Sequence, residues 1–233
     1  MYKFADIGGN MAIIAVVNLK GGVGKSTLTM HLAGAFGRRG KKVLVIDADI
    51  QGTSSAWSES ASEDAPFPAT VTGVSGAGEK LHRAIQKLSE DGAYDHIFVD
   101  CAPDRKSPIV GSVLSVAELV LIPVIPSPPD VIATGAVVSL VENASGLNPK
   151  LRPYIVVNQK APNTTLAGNM VELLKGLEVP VLEQHICYRT AYREAMSLGT
   201  IVQEMGNGAV KAAEEMSALV DEVMGLVEIG ATA

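Results

Sequence analysis

The chain has 233 residues, of which 47% are hydrophobic but only 4% aromatic, and its formal net charge is −6. That length fits one large domain with an aliphatic core, and the acidic balance argues against a surface that attracts DNA or anionic membranes as a whole. Two cysteines are too few for a disulfide framework, and no apolar run approaches the roughly 18 residues of a membrane span, so a reduced, cytoplasmic setting is expected.

Residues 1–10 (MYKFADIGGN) lack the apolar core of a signal peptide and read as a disordered leader without assigned function, ahead of a domain spanning 11–233. Residues 11–18 (MAIIAVVN) form an apolar run closed by a glycine-rich turn, which predicts a strand buried on both faces. Leu28, Leu32, Ala35 and Phe36 recur at helical spacing and Gly40 follows, predicting a helix over 26–39. Further buried strands are predicted at 42–49 (KVLVIDAD), 96–103 (HIFVDCAP), 119–126 (LVLIPVIP) and 152–159 (RPYIVVNQ). Helices are expected between them at 78–89, 107–115, 130–144 and 165–177. Residues 54–78, rich in Ser, Ala, Gly and Pro, read as an irregular connection with an edge strand at 69–74. Over 208–227, Val210, Ala213, Met216, Leu219, Val220, Val223 and Met224 follow helical periodicity, predicting an amphipathic helix docked on the body. Alternating strands and helices with continuous apolar strands predict a single α/β domain, a twisted, mostly parallel sheet with helices on both faces.

The chemistry concentrates in NLKGGVGKST, the turn between the first strand and the first helix. Glycines let successive backbone N–H groups converge on phosphate oxygens, and the helix N-terminus adds its dipole. In this loop Lys25 would neutralise β/γ-phosphate charge, the Ser26 hydroxyl would ligate Mg²⁺, and Thr27 would support the α-phosphate. Asp100 ends an apolar strand, as an acid that holds Mg²⁺ through water should. Asp47 and Asp49 end the second strand, where open α/β sheets place their ligand crevice; one can orient metal-bound water while the other polarises an attacking water.

Taken together, KGGVGKST, DADIQG and VDCAP resemble the deviant Walker A, switch I and Walker B motifs of the ParA/MinD family of ATPases, and the resemblance runs from Met11 nearly to the end. It implies a P-loop NTPase that binds Mg-ATP at Lys20, Gly21, Gly22, Val23, Gly24, Lys25, Ser26 and Thr27. It also implies that Lys20 reaches across a homodimer to the nucleotide of the other subunit, while Lys25 serves its own. By the same resemblance Asp49 activates the attacking water, Asp47 and Asp100 support the metal, and Asn158 reads the adenine edge.

Within the family, the acids Glu214, Glu215, Asp221, Glu222 and Glu228 against a single Lys211 argue against the membrane-docking helix of the MinD type. Cys101 and Cys187 do not match the cluster-bridging cysteines of related reductases and read as packing residues. Because only ten residues precede Met11, the N-terminal helix-turn-helix of large ParA proteins is expected to be absent. The remainder resembles the small plasmid-partition branch, in which PVIPSPPD (123–130) lies at the nucleotide-dependent dimer interface and a tryptophan like Trp57 follows switch I. This branch implies a slow ATPase that binds nonspecific nucleoid DNA as an ATP dimer and is stimulated by a centromere-binding adaptor, ParB-like or ribbon-helix-helix. Arg189, Arg193 and Lys211 are the candidate DNA contacts; Arg38, Arg39, Lys41 and Lys42 read as a solvated helix end. The alternative is a relative that positions a protein cargo such as a carboxysome or chemotaxis cluster. It is ranked second because the carboxysome version often lacks the first lysine. A ligase of the dethiobiotin-synthetase kind would need a substrate pocket that no residue set here suggests.

Overall fold

Five apolar runs and the short, largely exposed segment TVTG become the strands β1 (Ala12–Val16), β2 (Val43–Ala48), β3 (Thr70–Gly73), β4 (His96–Cys101), β5 (Leu119–Val124) and β6 (Arg152–Val157) of one sheet. The computed structural model describes residues 11–74, 80–104, 108–162 and 164–230. The expected leader at 1–10 lies outside them, as do the first residues of the helices expected at 78–89 and 107–115. The strand order is β3-β2-β4-β1-β5-β6, and every pairing is parallel. Parallel neighbours require crossovers, which the helices supply: α1 (Lys25–Arg38), α2 (Thr53–Glu59), α3 (Leu81–Glu90), α4 (Pro108–Leu114), α5 (Pro128–Ser145), α6 (Thr165–Lys175), α7 (Ala191–Ser197) and α8 (Val210–Gly230).

Side-chain alternation along the strands feeds two cores. Ile14 and Val16 of β1 point into the layer built by Leu28 and Phe36 of α1, Trp57 of α2, Tyr192 of α7 and Leu219 and Val223 of α8. Ile13, Ala15 and Val17 point into the opposite layer, with Ile85 of α3, Val113 of α4, Val141 of α5 and Leu174 of α6. Full burial of each such aliphatic side chain contributes about 1.5–3 kcal/mol, which is why these runs read without a polar face.

Two elements depart from expectation. The stretch taken as irregular contains α2, and the sequence after 188 contains α7. The final helix keeps the predicted face, with Met216, Leu219, Val220 and Val223 buried, but Val210 at its start is exposed. Its acids are not all turned to solvent: Glu222 accepts from the N–H groups of Glu183 (2.8 Å) and Gln184 (3.0 Å), and Glu215 from that of Cys187 (3.2 Å). They hold an extended segment that covers β6, through Ile155 N to Pro180 O (2.8 Å) and Leu182 N to Ile155 O (2.9 Å). The edge of the sheet is thereby closed against further pairing. Arg38 pairs with Glu204 and Arg39 with Asp221, so that basic helix end is ion-paired as well as partly solvated.

Candidate nucleotide-binding site

The strand order reverses direction around β1, and the carboxyl ends of β1, β2 and β4 open on one crevice. The glycine-rich loop leaves β1 into this crevice and turns into α1. Gly22 (φ 77°) and Gly24 (φ 89°) take the left-handed conformation that a side chain disfavours. A Cβ on Gly24 would also overlap the Asn158 amide. Lys25, at the first position of α1, is buried, and its Nζ donates to Lys20 O at 3.2 Å across the loop. Burial pulls its pKa down, opposed by the charges of Asp100 and Asp49.

Asp47 and Asp100 are register partners on adjacent strands, so both carboxylates leave the same face. Asp100 is fully buried. Ser54 Oγ donates to its Oδ2 at 2.8 Å, while Oδ1 has no hydrogen-bond partner. Burial raises its pKa to about 6, against the Ser26 and Ser54 hydroxyls that favour the anion. Asp47 is engaged differently: its Oδ2 accepts from Ser55 N (2.8 Å) and Ser55 Oγ (2.9 Å), and its Oδ1 from Asp49 N (3.2 Å). It therefore caps the start of α2 from a distance and closes the switch I turn. Asp49 is half-buried, accepts from Gln51 N at 3.0 Å, and lies near enough for its charge to act on Lys25.

Lys20 is the one loop cation that turns away from the glycines. Its Nζ lies 2.6 Å from Asp130 Oδ1, in the first turn of α5, where Ser127 Oγ donates to the other carboxylate oxygen. Asn18 fixes the loop from below, accepting from Lys20 N (2.9 Å) and donating to Pro123 O (2.8 Å). At the end of β6, Asn158 Nδ2 donates to Val23 O at 2.8 Å. Its Oδ1 accepts from Gln159 N (3.0 Å), so these bonds use one of its two amide N–H groups and one of its two lone pairs. Asp130, Ser54, Ser55 and Gln159 were not singled out from the sequence. Only Asp130 had a visible signal, as the acid closing PVIPSPPD.

Beside the loop, Thr27, Asn158, Gln159, Cys187, Tyr188 and Arg193 line a small cavity, and a larger one of about 610 Å³ extends between 188–191 and 207–212. The candidate DNA residues gather here but are not equivalent. Arg189 is held bidentately by Glu215, with Nε to Oε2 at 3.1 Å; Arg193 stacks over the Tyr188 ring at 5.1 Å; Lys211 is exposed. Cys101 and Cys187 are free thiols, the first buried beneath Asp100.

The residues present fit a magnesium nucleotide. The loop offers two left-handed glycines and a helix N-terminus, Lys25 a cation, Ser26 a hydroxyl and Asp100 a buried, unsatisfied carboxylate oxygen. Such an ion takes only one or two protein oxygens beside phosphate, so a larger acidic cage is unnecessary.

A strand, this loop, a helix and two acids at neighbouring strand ends define a P-loop nucleotide-binding protein of the deviant Walker A kind. The chain belongs to the CobQ/CobB/MinD/ParA nucleotide-binding family, whose domain matches residues 14–202. It is 32% identical over 213 residues to the maintenance of carboxysome distribution protein A of Halothiobacillus neapolitanus, covering 91% of this chain and 95% of the relative. The chromosome-partitioning ATPase Soj of Thermus thermophilus is 32% identical over 187 residues, covering 68% of this chain and 73% of the relative. Among solved structures, a Cyanothece McdA variant in complex with ATP superposes with a TM-score of 0.76 at 18% identity, over 94% of this chain and 98% of that one. The Pyrococcus furiosus cell division ATPase MinD does so with a TM-score of 0.74 at 23% identity, over 92% and 99%. Among the described residues, no helix is long and apolar enough to cross a membrane.

Proposed function

We propose that this chain is a ParA-type ATPase that positions a protein cargo of the carboxysome kind, dimerising around Mg-ATP and hydrolysing it slowly. The observation that carries the cargo is the 32% identity, over nearly the full length of both chains, to a carboxysome distribution protein. That likeness reverses the order expected from Lys20, which had placed plasmid partition first. Mg²⁺, when bound, would supply positive charge to the phosphates, and the Ser26 hydroxyl and the Asp100 carboxylate would hold it. Lys25 leaves the Lys20 carbonyl for the phosphates, and the N–H groups of residues 21–27 enclose them. Asp49 orients the attacking water, while Asp47 keeps the switch I turn closed beneath it. Lys20 leaves Asp130 to reach the nucleotide of the second subunit, so pairing follows ATP loading. Asn158 reads the base with its remaining N–H and lone pair. In this reading the ATP dimer rests on nonspecific nucleoid DNA through Arg193 and Lys211, and a cargo-bound adaptor triggers hydrolysis and release.

Deletion of the gene, followed by imaging, tests the cargo. Protein compartments collapsing into one cluster, with plasmids still inherited evenly, is the expected result; plasmid or chromosome loss with evenly spaced compartments overturns it. The second reading, DNA partition through a ParB-like or ribbon-helix-helix adaptor, is favoured by the likeness to Soj and makes the opposite prediction.

A further inference from the structure

Gln159 is the only described residue other than glycine with a positive φ, 50°. It lies just past β6, on the opposite side of the phosphate loop from the acids. A left-handed glutamine persists only where its surroundings hold it. What holds it is visible: its Nε2 donates to Gly22 O at 2.8 Å, while its neighbour Asn158 donates to the next carbonyl, Val23 O, also at 2.8 Å. Two consecutive side-chain amides thus grip two consecutive carbonyls of the loop.

The consequence follows from the trans peptide plane, in which C=O and the following N–H point in opposite directions. Fixing Gly22 O toward Gln159 aims Val23 N–H to the other side, and fixing Val23 O toward Asn158 does the same for Gly24 N–H. Gly22 is itself left-handed and has no side chain to restrict its own backbone, so a bond to its carbonyl has a peptide to fix. Resting on the reading of this loop as the ATP phosphate site, we propose that Gln159 is a positioning residue. Its side chain presets the Gly22–Val23 peptide so that Val23 N–H faces the phosphates before the nucleotide arrives. Asn158 cannot do this alone, because its donor is engaged one peptide further on.

The test separates positioning from simple support of the fold. Gln159→Gly removes the strut and also relieves the left-handed backbone, so the variant should unfold at the same temperature as the wild type or higher. It should nevertheless bind Mg-ATP about 3- to 10-fold more weakly, the equivalent of one preset hydrogen bond, with the loss expressed as faster release of a fluorescent ATP analogue. Gln159→Lys, which restores a donor of similar reach, should recover most of the affinity. Equal affinity for the glycine variant and the wild type overturns the proposal. So does a lysine variant no better than glycine, or a loss of affinity matched by a loss of thermal stability. Wild-type protein that binds no Mg-ATP overturns the underlying reading instead, and that measurement comes first.

Discussion

The Lys20 ammonium and the Asp130 carboxylate form an ion pair of 2.6 Å within one chain, with Lys20 43% exposed and Asp130 only 6%. A lysine that serves a neighbouring molecule must first leave this contact. Asp130→Asn keeps the Ser127 interaction at the start of α5 but removes the charge. It should tighten the ATP-loaded dimer about 2- to 5-fold, the worth of a partly exposed pair, as read by sedimentation across a concentration series. Lys20→Ala should keep ATP binding and lose the dimer. A weaker dimer in Asp130→Asn would show that the pair assists assembly instead of opposing it.

The two acids of switch I should separate in a thermal unfolding experiment. Asp47→Ala strands the half-buried Ser55 N–H and hydroxyl and opens the α2 cap, which costs about 2–3 kcal/mol. In a chain of this size that lowers Tm by about 4–12 °C. Asp49→Ala removes a single turn hydrogen bond, from Gln51 N, and should unfold within about 0.5 kcal/mol of the wild type while retaining ATP and stalling turnover. Full turnover in Asp49→Ala would move the water-activating role elsewhere.

Asp100 predicts a pH dependence of its own. Its folded pKa, raised from 3.8 to about 6, means that the folded state binds the proton more tightly than the unfolded chain between those values. Stability from this group is present at low pH, falls as pH rises through that window, and is fully lost above it. Without nucleotide, Asp100→Asn should therefore melt about 4–12 °C above the wild type at pH 8, from about 2–3 kcal/mol, and show little advantage at pH 4. The same substitution should abolish Mg²⁺-dependent hydrolysis. An advantage that grows toward acid would mean that the burial of this charge is not what limits stability there.

For DNA retention, Arg193→Ala with Lys211→Ala should weaken ATP-dependent binding and lower the salt slope by about 1–2 units, with unchanged melting. Arg189→Ala should instead lower the melting temperature, because Glu215 is left half-buried without its cation while still accepting from Cys187 N. Retention that depends on Arg189 alone, with no stability loss, would reverse this division.

Much of this architecture was readable in advance because a parallel sheet covered on both faces forces its strands to be apolar throughout. Hence β1, β2, β4, β5 and β6 stood out as unbroken runs, and the loop after β1 announced its chemistry through glycine and lysine spacing. α2 did not, since TSSAWSE has little apolar stripe and starts where two distant carboxylates, Asp47 and Asp100, meet Ser55 and Ser54. The same holds for roles that depend on which atoms are already engaged. Nothing in YRTAYREA says that Arg189 is committed to a glutamate on α8, nor does VNQK say that its amides face the phosphate loop. Asp130 was in plain view, but only folding sets it against Lys20.

One buried ring has a practical consequence. Trp57 is the single tryptophan of the chain. It stands edge-on to His31 at 5.2 Å, with its indole N–H donating to Thr200 O at 3.0 Å. It rides on the short helix whose first turn is fastened to both strand-end carboxylates. Any rearrangement of that helix when fuel binds or is consumed must alter the polarity around one indole. The molecule thus carries its own optical gauge, and its emission can report such a rearrangement in real time without a label.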